Sequence, residues 1–254
     1  MKIFDGHSRL RPDAEAPHRL LAEMDALGVT RALVAGGGYV TPDQLSRHIA
    51  EGGGMDVTVD HDQLLRQCEV DAARLLPAYI PNPYRAAEAY RLYREEGRLF
   101  RVLKIVSVLH GIELQDPRNI GLIEVAEELG HPVSLHCLHR RGFDVPELVA
   151  LALRFPRVSF ILEHSGVGNC DLHGLSLIRE HHNIAFETSG GFSLVIKEAC
   201  KRLGPQRVIF GSEYPIQNIR VELVKMEGLD LSPVDRTLVM GGNLAKLMAG
   251  ARTP

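Results

Sequence analysis

The chain has 254 residues, 45% of them hydrophobic and 24% charged, with a formal net charge of −3. That is enough for one domain with a full core, and the slight acidity speaks against nucleic acid or an acidic membrane surface as partner. No apolar run approaches the ~20 residues of a membrane span, and the four scattered cysteines, without a Cys-x-x-Cys pair, predict reduced thiols in a cytoplasmic protein.

Met1-Lys2-Ile3-Phe4-Asp5 runs straight into polar residues, with no secretory pattern. Lys2 to His7 reads as a first strand whose alternation puts Ile3, Asp5, His7 and Arg9 on one face. Residues 14–27 have helical periodicity and stop at Gly28, and Thr30 to Ala35 is a second strand leading into Gly36-Gly37-Gly38. The segment 37–60, with Gly52-Gly53-Gly54 and no strong period, predicts an irregular loop covering the mouth of the fold. Asp60 to Arg74 returns to helix, Leu75 to Ile80 is a third strand, and 84–96 is a helix ended by Gly97. A fourth strand over 98–111 embeds Lys104 in an apolar run. Asp116-Pro117 opens a helix that ends at Gly130.

Pro132 to Cys137 is a fifth strand ending at His136, and Asp144-Val-Pro146 opens a helix to Phe155. Arg157 to His164 is a sixth strand, followed by a helix over 171–181. Asn183 to Thr188 is a seventh strand, and 191–203 is helical. Val208 to Phe210 is the eighth strand; Gly211 lets the backbone turn and delivers Glu213. Helices over 216–227 and 232–249 finish the chain. Strands and helices in strict alternation predict a (β/α)8 TIM barrel, a single domain across 1–254. A doubly wound sheet would carry a glycine-rich phosphate turn after its first strand, and Asp5-Gly6-His7-Ser8 is not one.

In a barrel the carboxyl ends of the strands converge on one mouth. Asp5, His7, Arg9, Lys104, His136, His164 and Glu213 stand there. Each alone has a plain reading as a hydrogen-bonded core residue or helix cap. Converging from four different strands, three imidazoles and a carboxylate suit Zn²⁺ or a similar ion. A lysine in an apolar strand must either meet an acid, such as Asp5 or Glu213, or await an anionic substrate.

These segments resemble the amidohydrolase superfamily, in its amidohydrolase 2 branch of aminocarboxymuconate-semialdehyde and resorcylate decarboxylases. Ile3 to Leu10 is similar to the opening Asp-x-His-x-His strand, Leu20 to Ala35 to the first helix and second strand, and Val102 to Ile105 to the Gly-Val-Lys strand. Residues 131–137, 154–166, 183–190 and 207–215 are similar to the last four strand ends. The resemblance implies a divalent metal, zinc foremost, on His7, His136 and Glu213, with His164 beside the metal-bound water or substrate. Arg9 departs from the pattern by standing where a second histidine is expected, and Glu213 by replacing an aspartate. A guanidinium cannot ligate and repels a cation, so weak or absent metal and an Arg9–Glu213 ion pair are expected; alternatively Asp5 supplies a carboxylate ligand.

The leading expectation is a hydrolase of a small amide, lactone or ester, with His164 and Glu213 moving the proton and Arg9 or Lys104 holding an anionic substrate. The alternatives are non-oxidative decarboxylation of a small aromatic or unsaturated acid, and a barrel that has lost its chemistry and serves as a scaffold. A small-molecule partner is expected, with a homo-oligomer left open.

Overall fold

The computed structural model describes residues 2–249; Met1 and 250–254, part of the predicted domain span, lie outside them. Strand β1 (Ile3–Leu10) is followed by α1 (Ala16–Leu27), and β2 (Val29–Gly36) by α2 (Pro42–Glu51) and α3 (His61–Glu69). Next come β3 (Leu75–Tyr79), α4 (Ala86–Glu96), β4 (Val102–Ile105), a single turn α5 (Ser107–His110) and α6 (Pro117–Leu129). Strand β5 (Val133–Leu135) leads to α7 (Val145–Arg154), and β6 (Phe160–Leu162) to α8 (Leu172–Ile178). Strand β7 (Ile184–Glu187) precedes α9 (Ser193–Leu203), and β8 (Val208–Ile209) precedes α10 (Ile219–Glu227), α11 (Pro233–Thr237) and α12 (Asn243–Ala249). All eight strands run parallel in sequence order. The Glu213 amide donates to the His7 carbonyl (2.7 Å), the Arg9 amide to Tyr214 (2.8 Å) and the Gly6 amide to Phe210 (2.9 Å), which closes β8 back onto β1. The TIM barrel is therefore present.

Three elements differ from the sequence expectation, each for a local reason. The segment read as irregular contains α2, whose Thr41 and Gln44 form a reciprocal capping box with Pro42 in the first turn. The long fourth strand stops at Ile105, and Ser107–His110 turns helical before left-handed Gly111. Val106 and Val108 are buried either way, so an apolar run could not distinguish the two conformations. The last helix breaks at Gly241, where a Cβ would press on the Phe4 amide and the Lys2 carbonyl at 3.0 Å. That break folds α12 under the barrel, where Leu244 and Met248 join Phe4, Leu33, Val102, Ile161 and Ile209 in the floor of the bore.

Above that floor, period-two alternation decides which residues face inward. Lys104 follows Val102, Glu163 follows Ile161, and Glu187 follows Ala185, each one layer higher. The intervening Leu103, Phe160, Leu162 and Phe186 pack outward against the helices. A polar layer thus rests on an apolar floor.

Candidate active site

The polar layer is a connected network, with Glu163 Oε2 and neighbouring His136 Nδ1 left without hydrogen-bond partners among the described residues. Lys104 Nζ lies 3.0 Å from His7 Nε2 and donates to Glu163 Oε1, which also accepts from the Ser134 hydroxyl. On its other side, His7 faces Glu187 through Nδ1 (3.3 Å), so a neutral His7 donates there and accepts from Lys104. Glu187 further accepts from the Ser189 hydroxyl (2.8 Å) and the His164 amide (3.1 Å). Burial pushes the His7 pKa down. It pulls Lys104 down as well, while Glu163 counters by stabilising the ammonium. Burial opposes ionisation of Glu163, yet His7 and Lys104 hold its carboxyl well below the usual range. Lys104 is 3% exposed and Glu163 1%, so neither can trade its partner for water. A glycine is needed beside them: a Cβ at Gly211 would overlap the Glu187 carboxylate and press on His7. Gly211 thus makes room for side chains more than it makes a turn.

One step up, at the mouth, His164 Nδ1 lies 3.3 Å from Glu213 Oε2, and both side chains are partly open. Both residues, and Ser165, hold left-handed backbone with φ of 56–59°, a region that costs a non-glycine residue about 1 kcal/mol or more. This backbone turns His164 away from the helix layer, where strand alternation would send it. Burial lowers the His164 pKa, but the Glu213 bond and the surrounding carboxylates outweigh it, leaving the value above 6.5. Burial likewise opposes Glu213, but the His164 bond and charge bring it to about 2. Each partner thus favours the charged form of the other, the imidazolium of His164 and the carboxylate of Glu213. Deep burial and the charge of His164 push neighbouring His136 down to about 3, so it is neutral.

The pair opens on a cavity of about 350 Å³. Its apolar wall includes Leu45, Ile49, Val57, Val59, Ile80 and Val106, and its polar wall includes Arg9, His110, His136, His164 and Glu213. Part of this wall comes from α2 and the segments flanking it. Gly37 lets the Arg9 stem pass, since a Cβ there would meet Arg9 Cβ at 3.0 Å. Arg9 Nη2 lies 3.4 Å from His7 Nε2, and its buried Nε has no partner.

The structure brings His7, Arg9, His164 and Glu213 together, and corrects several expected roles. Lys104 is not on the cavity wall; it is sealed below, and its acid is Glu163 rather than Asp5 or Glu213. Arg9 forms no ion pair with Glu213 among the described residues, because Glu213 is turned onto His164. Asp5 is no free ligand. Its carboxylate accepts from Ser8 Oγ, Ser212 Oγ and the amides of His7 and Ser212, after the β1 register shifts between Asp5 and Ser8. Glu163, Ser134 and Ser189 were missed. The readable signal for Glu163 was a buried lysine needing an acid on a neighbouring strand's inward phase.

His7, Glu163 and His164 each offer one ligand atom, all within 4.8 Å of one another, a donor set of the kind that could hold a divalent ion. It differs from the expected His7, His136 and Glu213: Glu213 points to His164, and His136 Nδ1 stands 3.9 Å from Glu163 Oε2. The charges do not fit such an ion as the residues are arranged. Lys104 occupies His7 Nε2 and Glu163, and Arg9 approaches the same nitrogen, so a metal there would meet two cations at contact range.

The family model described as amidohydrolase matches residues 5–248. No curated protein matches the chain by sequence. Among solved structures, 5-carboxyvanillate decarboxylase from Sphingomonas paucimobilis aligns with TM-score 0.72 at 16% identity, covering 98% of this chain and 99% of its own. The 2,6-dihydroxybenzoate decarboxylase from Rhizobium aligns at 0.71 and 16%, covering 98% and 99%. A dihydroxybenzoic acid decarboxylase from Polaromonas sp. JS666, with bound manganese and the inhibitor 2-nitroresorcinol, aligns at 0.67 and 16%, covering 98% and 97%. The expectation of a hydrolase is overturned by this set, whose members are decarboxylases and carry the barrel over nearly its whole length. The metal bound in the Polaromonas structure is manganese, and zinc has no counterpart there.

Proposed function

We propose, for a chain that belongs to the amidohydrolase family, non-oxidative decarboxylation of a small aromatic or unsaturated carboxylic acid. The observation that carries this reading is His164, its pKa raised by the Glu213 carboxylate that holds it, on the polar side of an otherwise apolar cavity with Arg9 beside it. A volume near 350 Å³ suits a single ring with small substituents. The substrates named for the similar folds, 5-carboxyvanillate and 2,6-dihydroxybenzoate, belong to that class.

In this reading the apolar wall takes the ring and Arg9 grips the carboxylate, with its fixed charge and unpartnered Nε. Glu213 occupies His164 Nδ1, so the transferable proton sits on Nε2. His164 passes that proton to the carbon bearing the carboxylate. The bond to the carboxyl carbon then breaks, its electron pair stays with the ring, and CO₂ leaves. Solvent returns a proton to His164 while Glu213 keeps the ring oriented. No step runs through a metal, because Lys104 and Arg9 stand against its donors. A scaffold role explains neither the left-handed backbone at His164 and Glu213 nor an arginine with a buried, unpartnered Nε on the wall of a cavity.

The test is incubation with hydroxybenzoates and unsaturated acids in D₂O, following CO₂ release and deuterium at the vacated carbon. One deuterium per CO₂ is expected. If no acid releases CO₂ faster than with a His164→Ala control, the reading is wrong.

A further inference from the structure

We infer that Lys104 is a built-in replacement for a divalent cation, and that its side chain conceals a latent metal site made by His7, Glu163 and His164. Position comes first. Two of those three ligands are already engaged by one ammonium, which lies 3.0 Å from His7 Nε2 and donates to Glu163. An ammonium is a compact point charge with several donors, so it can satisfy a nitrogen and a carboxylate in one place, as an ion would.

Space adds to this. The gap beneath Lys104, lined by Leu33, Ala78 and Val102 as well as His7, Ser134 and Glu163, is only about 10 Å³. That is at or below what one water needs, so the lysine cannot withdraw toward the floor to clear the ligands. Charge gives another reason. Glu163 already pairs with Lys104, and Arg9 lies against the same His7 nitrogen. A divalent ion would be repelled by both cations, with only the second Glu163 oxygen, Oε2, left without a partner to meet it. Lys104 has no exit either, since it stands directly above Val102 in the bore and is 3% exposed.

The donors for a metal have thus been kept while the metal's position is filled from within. Removing the ammonium frees both the ligands and their charge, and the three side chains can then converge on an ion. This holds whatever acid the cavity accepts, and the decarboxylase reading stands or falls separately.

The experiment measures metal content and affinity. Wild-type protein, Lys104→Met and Lys104→Gln are loaded with manganese(II) or zinc(II), dialysed and analysed by elemental analysis, with calorimetric titration alongside. Wild type is expected to retain a small fraction of an equivalent, and either variant to approach one, with affinity higher by on the order of 100-fold or more. A wild type that retains a full equivalent overturns the inference, as does a folded variant that gains nothing. Should neither variant fold, the wild-type titration decides alone: tight binding to the intact site refutes it, and absence of binding supports it.

Discussion

Glu163 with Lys104 in the bore and Glu213 with His164 at the mouth are the same kind of contact, a carboxylate against a basic side chain. Their surroundings separate them. The lower pair is sealed on every side, shares its donors with Ser134 and His7, and sits on regular strands. The upper pair is partly open, rests on left-handed backbone at both ends, and faces a cavity. A sealed pair cannot exchange its proton and serves to neutralise charge where water is excluded. An open pair with a raised imidazole can give a proton up and take it back. Access, rather than residue type, assigns the work.

That contrast breaks most readily at His164. Replacing it with alanine should lower kcat by about 10²–10⁴-fold on a substrate that releases CO₂ while the far-ultraviolet circular dichroism stays native. Retained turnover would show that the upper pair carries no proton. The complementary change is Glu163→Gln, which leaves the buried ammonium without its carboxylate. A stability loss of about 3–5 kcal/mol is expected in urea unfolding. A loss within experimental error would mean that the lower pair is not holding the barrel together.

The finest test is of pH. His164 has a folded pKa above 6.5, raised by Glu213 against the effect of burial. Its charged form, and any stability it confers, is complete below 6.5 and is lost as pH rises through the folded value. Since the acid form does the work, kcat/KM should fall along an alkaline limb above 6.5. Glu213→Gln removes the charge that sustains the shift while leaving an acceptor for Nδ1, so the limb should move to lower pH by about one unit. An unmoved limb would detach Glu213 from the histidine it is meant to hold.

The barrel was legible because glycines, prolines and apolar runs punctuate the chain in strict alternation, with Gly28 and Gly130 capping helices in left-handed backbone as expected. His7, His164 and Glu213 were legible as strand-end residues. Glu163 was hidden by the same alternation that should have revealed it. In Phe160-Ile-Leu-Glu-His164 only one of the last two residues can follow the inward phase, and that one is Glu163. His164 reaches the mouth through a left-handed turn that a histidine does not announce. The α2 helix was announced, by Thr41-Pro-Asp-Gln44, but two glycine triplets around it suggested an irregular loop. Pairings such as Lys104 with Glu163 depend on the register of two different strands, which one chain's pattern does not specify.

The clasp at Asp5 bears on the order in which the protein is made. Its carboxylate takes two bonds from Ser212, 207 positions further along the chain. Those bonds, and the backbone bonds from β1 to the Phe210–Tyr214 segment, can form only after all the other strands have been synthesised. Contacts of such separation carry a large loop-closure cost and come late in folding. His7 and Glu213 stand on the two sides of that seam. Closing the ring and bringing His7 against the Glu213 turn therefore depend on the same long-range contacts, so a chain without that seam lacks the juxtaposed site.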